Sequence, residues 1–300
     1  MLVTEVGAVD ACEKLIDLHA WPSGKIDVGG WLQNFDSSDR PYAAHMLAHF
    51  MFFSDTLVDA LFLAAFQSLS NWIRAGCSSR LDANRSWNHF LQRAHITIIQ
   101  GEDPNPTDSG YIFARKARQI LGMPEDQIMS PDQALKAAAD GYEGTIIFVD
   151  DFVGSGEQFL STWRRRRSVE GHPRMAFSDL PSNRGPKIVY CNAILTEFGR
   201  QRISRACPSV MLATGNVIPE SYNWTNAACH LWPKDEVANG IAFIQRASGR
   251  LGYGDDSGGQ MDWRGFHKLG LGLAFEHSTP DATLPLFHCA NNWQPLVRRS

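Results

Sequence analysis

The chain has 300 residues, 44% of them hydrophobic, enough for a substantial core and too apolar for a disordered tail. A formal net charge of −4 and a pI near 6.2 exclude a global drive toward nucleic acid or anionic membranes, leaving only the arginine run at 164–167 as a local basic patch. That run reads first as a solvated helix end, its cations suiting the negative pole of the helix, and second as a nucleic-acid contact.

The N-terminus carries no basic stretch followed by an apolar core and cleavage site, so a cytoplasmic protein is expected. The longest apolar stretch, 43–69, is interrupted by His45, His49, Ser54, Asp55, Asp59 and Gln67, and suits packed helices rather than a membrane span. Cysteines at 12, 77, 191, 207, 229 and 289 form no Cys-x-x-Cys pair, so free thiols are expected.

In chain order, apolar periodicity predicts helices over 4–19 and 41–75, the second split near Ser54-Asp55, and a short helix over 84–92. His45 and His49 share a helix face at i, i+4, a spacing that serves packing or metal ligation. Trp21, Trp31, Trp72 and Trp87 read as anchors of this helical region; an exposed one can also stack on a base. The pattern then changes to a strand over 95–100, a polar loop through Ser109-Gly110 and a helix over 111–121. A helix over 134–139, a strand over 145–149 and a helix over 156–169 follow. Residues 171–186, with three prolines, read as a surface loop, after which come strands over 187–195 and 210–213 and a helix over 235–248. Strands alternating with helices predict an α/β fold with a mostly parallel sheet and right-handed crossovers. The expected division is a helical region at 1–94, an α/β core at 95–215 and a terminal segment at 216–300.

The stretch Thr145-Ile-Ile-Phe-Val-Asp-Asp-Phe-Val-Gly-Ser-Gly-Glu-Gln-Phe159 concentrates the chemistry. Its apolar start reads as a central parallel strand that stops at Asp150. Gly154 and Gly156 permit tight backbone turns, and the helix that follows offers free N–H groups and a positive dipole end. A phosphate is expected at this turn, against Gly154, Gly156 and the start of the helix. Asp150 and Asp151, at the carboxyl end of the strand, are placed to accept hydrogen bonds from vicinal sugar hydroxyls. The alternative is a plain strand-to-helix turn with aspartate capping.

The residues Val149-Asp-Asp-Phe-Val-Gly-Ser-Gly156 resemble the phosphoribosyl pyrophosphate (PRPP) signature of type I phosphoribosyltransferases. The resemblance implies a phosphoribosyltransferase-like α/β core, with Asp150 and Asp151 as catalytic residues on the ribose 2′ and 3′ hydroxyls and the 154–158 loop on the 5′-phosphate. Where that family usually carries Thr or Ser, this chain has Gln158. Asp108-Ser109-Gly110, leading to Arg115, is similar to the pyrophosphate loop of the superfamily, the alternative being an ordinary helix start capped by Ser109. Mg2+ is the implied cofactor, bridging pyrophosphate and ribose oxygens.

Further along, Leu251-Gly-Tyr-Gly254, Thr279-Pro-Asp-Ala-Thr-Leu-Pro285 and Trp293-Gln-Pro-Leu296, with Trp31-Leu-Gln-Asn-Phe35 and Asp39-Arg40 near the N-terminus, resemble the PRTase-CE group. These are phosphoribosyltransferase-like proteins of bacterial conflict and anti-phage systems, some encoded beside a retron reverse transcriptase and its RNA-DNA hybrid. The resemblance implies that 216–300 forms a hood, with Glu276, His277, Thr279 and Thr283 as acceptor contacts; the other reading is that Pro280 and Pro285 simply fix a lid or edge segment. It also implies PRPP as ligand and a reverse transcriptase with its hybrid as partners, with no membrane contact and the oligomeric state open. Two other readings stand beside a defence transferase: a nucleotide-binding module that assembles with reverse transcriptase or nucleic acid, and a salvage phosphoribosyltransferase.

Overall fold

The structure, a computed structural model, describes residues 1–100, 109–181 and 184–298. Its helices are α1 (Glu5–Asp17), α2 (Val28–Leu32), α3 (Arg40–Ala48), α4 (Asp55–Arg74), α5 (Arg80–Arg93), α6 (Ser109–Leu121), α7 (Pro131–Ala139), α8 (Glu157–Arg164), α9 (Glu197–Ala206), α10 (Val237–Arg250) and α11 (Pro285–His288). Its strands are β1 (Met51–Phe53), β2 (Ala94–Ile98), β3 (Ile128–Met129), β4 (Thr145–Val153), β5 (Lys187–Thr196), β6 (Val210–Ile218) and β7 (Leu273–Phe275).

Contacts divide the chain into Val58–Ile218 and a second unit joining Met1–Leu57 to Pro219–Ser300. This division cuts across the three stretches expected from sequence. Most of α4, and α5, belong with the α/β unit, because a Cβ on Gly215 of β6 would lie 2.3 Å from the Leu61 carbonyl oxygen of α4. Phe62 of α4 also meets Phe113 of α6 edge to face at 5.1 Å.

Within Val58–Ile218, five strands run parallel in the order β3-β2-β4-β5-β6. The α/β class with a parallel sheet, expected from the alternating pattern, is what the structure holds. The chain moves outward from β2 to β3 and then reverses to β4, β5 and β6. Right-handed crossovers in opposite directions place helices on opposite faces of such a sheet. One face buries Ile146, Phe148 and Tyr190 against Ala134 and Leu135 of α7, Phe159 and Trp163 of α8, and Ile203 of α9. A capping box opens α7, Ser130 Oγ accepting from the Gln133 amide and Gln133 Oε1 from the Ser130 amide.

Several elements differ from expectation for identifiable reasons. β4 does not stop at Asp150 but continues to Val153, because Phe152 and Val153 pair with Ile194 and Leu195 of β5. α8 ends at Arg164 rather than 169; Arg165 is extended, and Arg167 is buried beside Asp132 and bridged to Met175, so the arginine run is not a continuous solvated helix end. The 171–186 segment is not wholly a surface loop, since Phe177 is fully buried against Phe148 and Trp163. β6 runs to Ile218, and α9 precedes it.

The turn from β4 into α8 is shaped by α9. Gly156 sits at φ +74°, and a Cβ there would meet the Ile203 side chain at 2.8 Å. Gly199 presses equally close, its added Cβ falling 2.5 Å from the Gly154 carbonyl oxygen.

The other unit is built on aromatic side chains. Trp31 is fully buried, stacks on Phe287 at 5.3 Å and donates its indole N–H to the Leu286 carbonyl at 2.7 Å. Asp39 is buried against Arg246 of α10, 2.7 Å away. β1 pairs in parallel with β7, a strand pair the sequence reading did not anticipate. His45 Nδ1 accepts from the Val3 amide and Nε2 lies 2.7 Å from the Leu231 carbonyl, so both ring nitrogens are engaged in packing. All six cysteines are free thiols, and among the described residues no helix is long and apolar enough to cross a membrane.

Two outcomes are expected. Gly156→Ala should lower stability by about 2–4 kcal/mol in urea unfolding, combining left-handed strain with overpacking. In an Ile203→Ala background the added cost of the same change should fall toward the strain alone, about 1–2 kcal/mol. Burial holds His45 below its ordinary pKa, so the unfolded chain binds this proton more readily. The stability His45 contributes is present above pH 6.5 and lost as pH falls below it; melting temperatures at successive pH values should drop more in wild type than in His45→Gln.

Candidate active site

The sheet positions the candidate site before any side chain is considered. Strand order reverses between β2 and β4, and open α/β sheets bind ligands outside the carboxyl ends of strands at such a point. β4 delivers Asp150 and Asp151 there, at 2% and 5% exposure. Carboxylates are rarely that buried without partners. Asp150 Oδ1 accepts the Asp151 amide at 3.0 Å, Asp150 Oδ2 accepts the Tyr190 hydroxyl at 2.9 Å, and Asp151 Oδ1 accepts the Phe152 amide at 2.8 Å. Burial, reinforced by the adjoining Asp150 and Asp151 charges, pushes the Tyr190 phenol well above its ordinary pKa, so Tyr190 stays a donor.

Gly154, Ser155 and Gly156 then turn the chain into α8. Thr196, the N-cap of α9, donates to the Gly154 carbonyl and accepts the Gly199 amide at 2.9 Å. Arg202 of α9 reaches back to the Ser155 carbonyl at 3.3 Å and to Glu157 Oε2 at 3.2 Å. Ser155 Oγ accepts the Glu157 amide at 3.3 Å, while the Gln158 and Phe159 amides meet no backbone acceptor among the described residues. The first turn of α8 therefore presents open N–H groups and the positive end of its dipole. Gln158 is exposed at this turn.

Of the other residues expected to act, Asp108 lies outside the described residues, and Ser109 and Gly110 begin α6, which follows β2 at the same reversal of strand order. Arg115 is exposed on α6, whereas Lys116 pairs with Asp59 and Arg118 with Glu125. Glu276, His277, Thr279 and Thr283 belong to the other compact unit. There Glu276 Oε2 accepts the Asp55 amide at 2.9 Å, His277 Nδ1 lies 2.8 Å from Asp55 Oδ1, and Thr283 donates to the Leu273 carbonyl at 2.7 Å, while Thr279 is buried. The structure thus gathers 150–158 into one constellation and places these four in the other unit.

Tyr190, Thr196 and Arg202 join the candidate site without a local sequence motif that marks them. Thr196-Glu197 carried a helix-start signal, but Arg200 to Arg205 offers little apolar periodicity to extend it.

The PRTase-CE family model matches residues 28–299 of the chain. No curated protein matches it. Among solved structures, the AQ2163 protein from Aquifex aeolicus aligns at 9% identity and TM-score 0.30, over 63% of this chain and 82% of that one. Orotate phosphoribosyltransferase from Aeropyrum pernix aligns at 14% identity and TM-score 0.25, over 45% of this chain and 72% of that one. With nine-tenths of its length matched to the family model, and with paired carboxylates and a glycine loop at the reversal of its parallel sheet, the chain belongs to the PRTase-CE family.

Proposed function

We propose that the protein binds PRPP and transfers its phosphoribosyl group to an acceptor with release of pyrophosphate, as an effector in a bacterial anti-phage system. One observation carries the reading: Asp150 and Asp151 stand near the carboxyl end of β4, and after Phe152 and Val153 come the Gly154–Gly156 turn and the open N-terminus of α8. Two adjacent carboxylates match two vicinal ribose hydroxyls, and the amides match a terminal phosphate.

In such a transfer the bond from the anomeric carbon to pyrophosphate breaks, its electron pair leaving on the phosphate oxygen. The acceptor forms the new bond at that carbon and gives up a proton. No covalent intermediate with the protein is needed; holding the ribose in place and the carboxylate charge near the developing cationic ring supply the stabilisation. Among the described residues no group of three or more His, Cys, Asp or Glu could hold a metal ion. Asp150 and Asp151 suit a Mg2+ held largely by ligand oxygens, the ion's usual manner with phosphates. Such an ion would neutralise charge on the departing pyrophosphate.

The exposed Gln158, standing where a hydroxyl usually closes the phosphate loop, favours a second reading. In that reading the pocket binds a nucleotide or phosphoribosyl metabolite without turnover, and the protein assembles with a reverse transcriptase and its RNA-DNA hybrid.

With PRPP and Mg2+, wild type is expected to bind PRPP in calorimetric titration and to release pyrophosphate. The Asp150→Asn/Asp151→Asn double variant should lose release by about a hundredfold or more. Binding without release supports the non-catalytic module, and absence of binding contradicts both readings. Phage plating on bacteria carrying the gene with its neighbours should show protection that the same double variant abolishes; equal plaque counts with and without the gene would contradict the defence role.

A further inference from the structure

One buried group beside the paired carboxylates has no hydrogen-bond partner among the described residues. Asn192 lies inside β5, fully buried, and neither its Nδ2 nor its Oδ1 makes a hydrogen bond among the described residues. It sits in register with Asp150 on β4 and Thr214 on β6, so a polar row crosses three neighbouring strands three or four residues before their carboxyl ends. The other members of the row are engaged. The Asp150 carboxylate holds the Tyr190 hydroxyl and the Asp151 amide, and the Thr214 hydroxyl donates to the Asn216 carbonyl at 3.0 Å.

Buried side-chain amides are nearly always paired, because stripping water from both the N–H and C=O groups without replacement lowers stability. A leucine of similar size would fit an apolar parallel strand better. Bare polar groups of this kind cluster where function overrides stability.

We infer that Asn192 is a substrate-contacting residue that binds, together with Asp150, a ribose hydroxyl of the phosphoribosyl ligand; this rests on the reading proposed above. Register partners on adjacent strands lie about 4.8 Å apart, close enough for one hydroxyl to bridge both side chains. The chemistry fits a hydroxyl better than a phosphate. A hydroxyl both donates and accepts; Asp150 accepts a hydrogen bond from its O–H, and the Asn192 N–H donates to its oxygen. The neutral carboxamide also adds no third negative charge beside Asp150 and Asp151 where an anionic ligand must enter. Asn192 therefore selects for the sugar, while the 154–158 amides select for the phosphate.

The test compares ribose 5-phosphate, PRPP and inorganic phosphate as probes on wild type, Asn192→Leu and Asn192→Ala. Asn192→Leu should weaken ribose 5-phosphate and PRPP by about tenfold or more while changing inorganic phosphate affinity less than about twofold. Its melting temperature without ligand should equal or exceed that of wild type. Asn192→Ala, which leaves space rather than filling it, should show the same selective loss when read as the ligand-induced rise above its own unliganded melting temperature. Equal loss for all three probes, or a lower melting temperature in Asn192→Leu, marks the carboxamide as structural and overturns the inference. Wild-type affinity for ribose 5-phosphate in both variants overturns it too. Should wild type bind neither PRPP nor ribose 5-phosphate, the phosphoribosyl reading itself fails and this inference with it.

Discussion

Everything at the candidate site depends on burying two adjacent carboxylates in the last residues of a central strand, just before its glycine loop. Asp150 and Asp151 are almost without solvent, a position that is costly unless hydrogen bonds replace the lost water. The fold supplies those bonds from local backbone and from Tyr190, one strand away. β4 also lies beside the reversal of strand order, the place where open α/β sheets usually bind their ligands. The same strand that makes the core continuous thus carries both carboxylates.

The glycine loop is the second half of the arrangement, and its shape is set by a helix the loop does not lead into. α9 belongs to the next β-α unit, yet Thr196, Gly199, Arg202 and Ile203 together fix the Gly154–Glu157 backbone through hydrogen bonds and close packing. A loop held from outside is organised before ligand arrives, which reduces the ordering lost on binding. Asn192 extends the pattern in the opposite sense, a buried polar group without a hydrogen-bond partner among the described residues in an otherwise satisfied row.

The central strands were legible because parallel strands covered on both faces read as unbroken apolar runs, and Asp150-Asp151 before Gly-Ser-Gly is a local pattern. α9 was not legible: only Gly199 and Ile203 are buried, so the helix carries almost no apolar stripe. β6 looked short because Thr214, Gly215 and Asn216 read as polar, although the strand continues through them in register with β5. The terminal unit was hidden for another reason. Its contacts join distant segments: the Trp31 indole meets Leu286, and Met51 pairs with Leu273. No local window contains such pairs, and aromatic packing among short elements leaves no period to read.

In the proposed function, a phosphoribosyl ligand is seated between β4 and the first turn of α8. Hydrogen–deuterium exchange at the backbone amides of residues 154–159, followed with and without PRPP and Mg2+, addresses that seat directly. Slowed exchange concentrated at these amides on adding ligand is the predicted result. Unchanged exchange there under saturating PRPP, or protection confined to other segments, would contradict it.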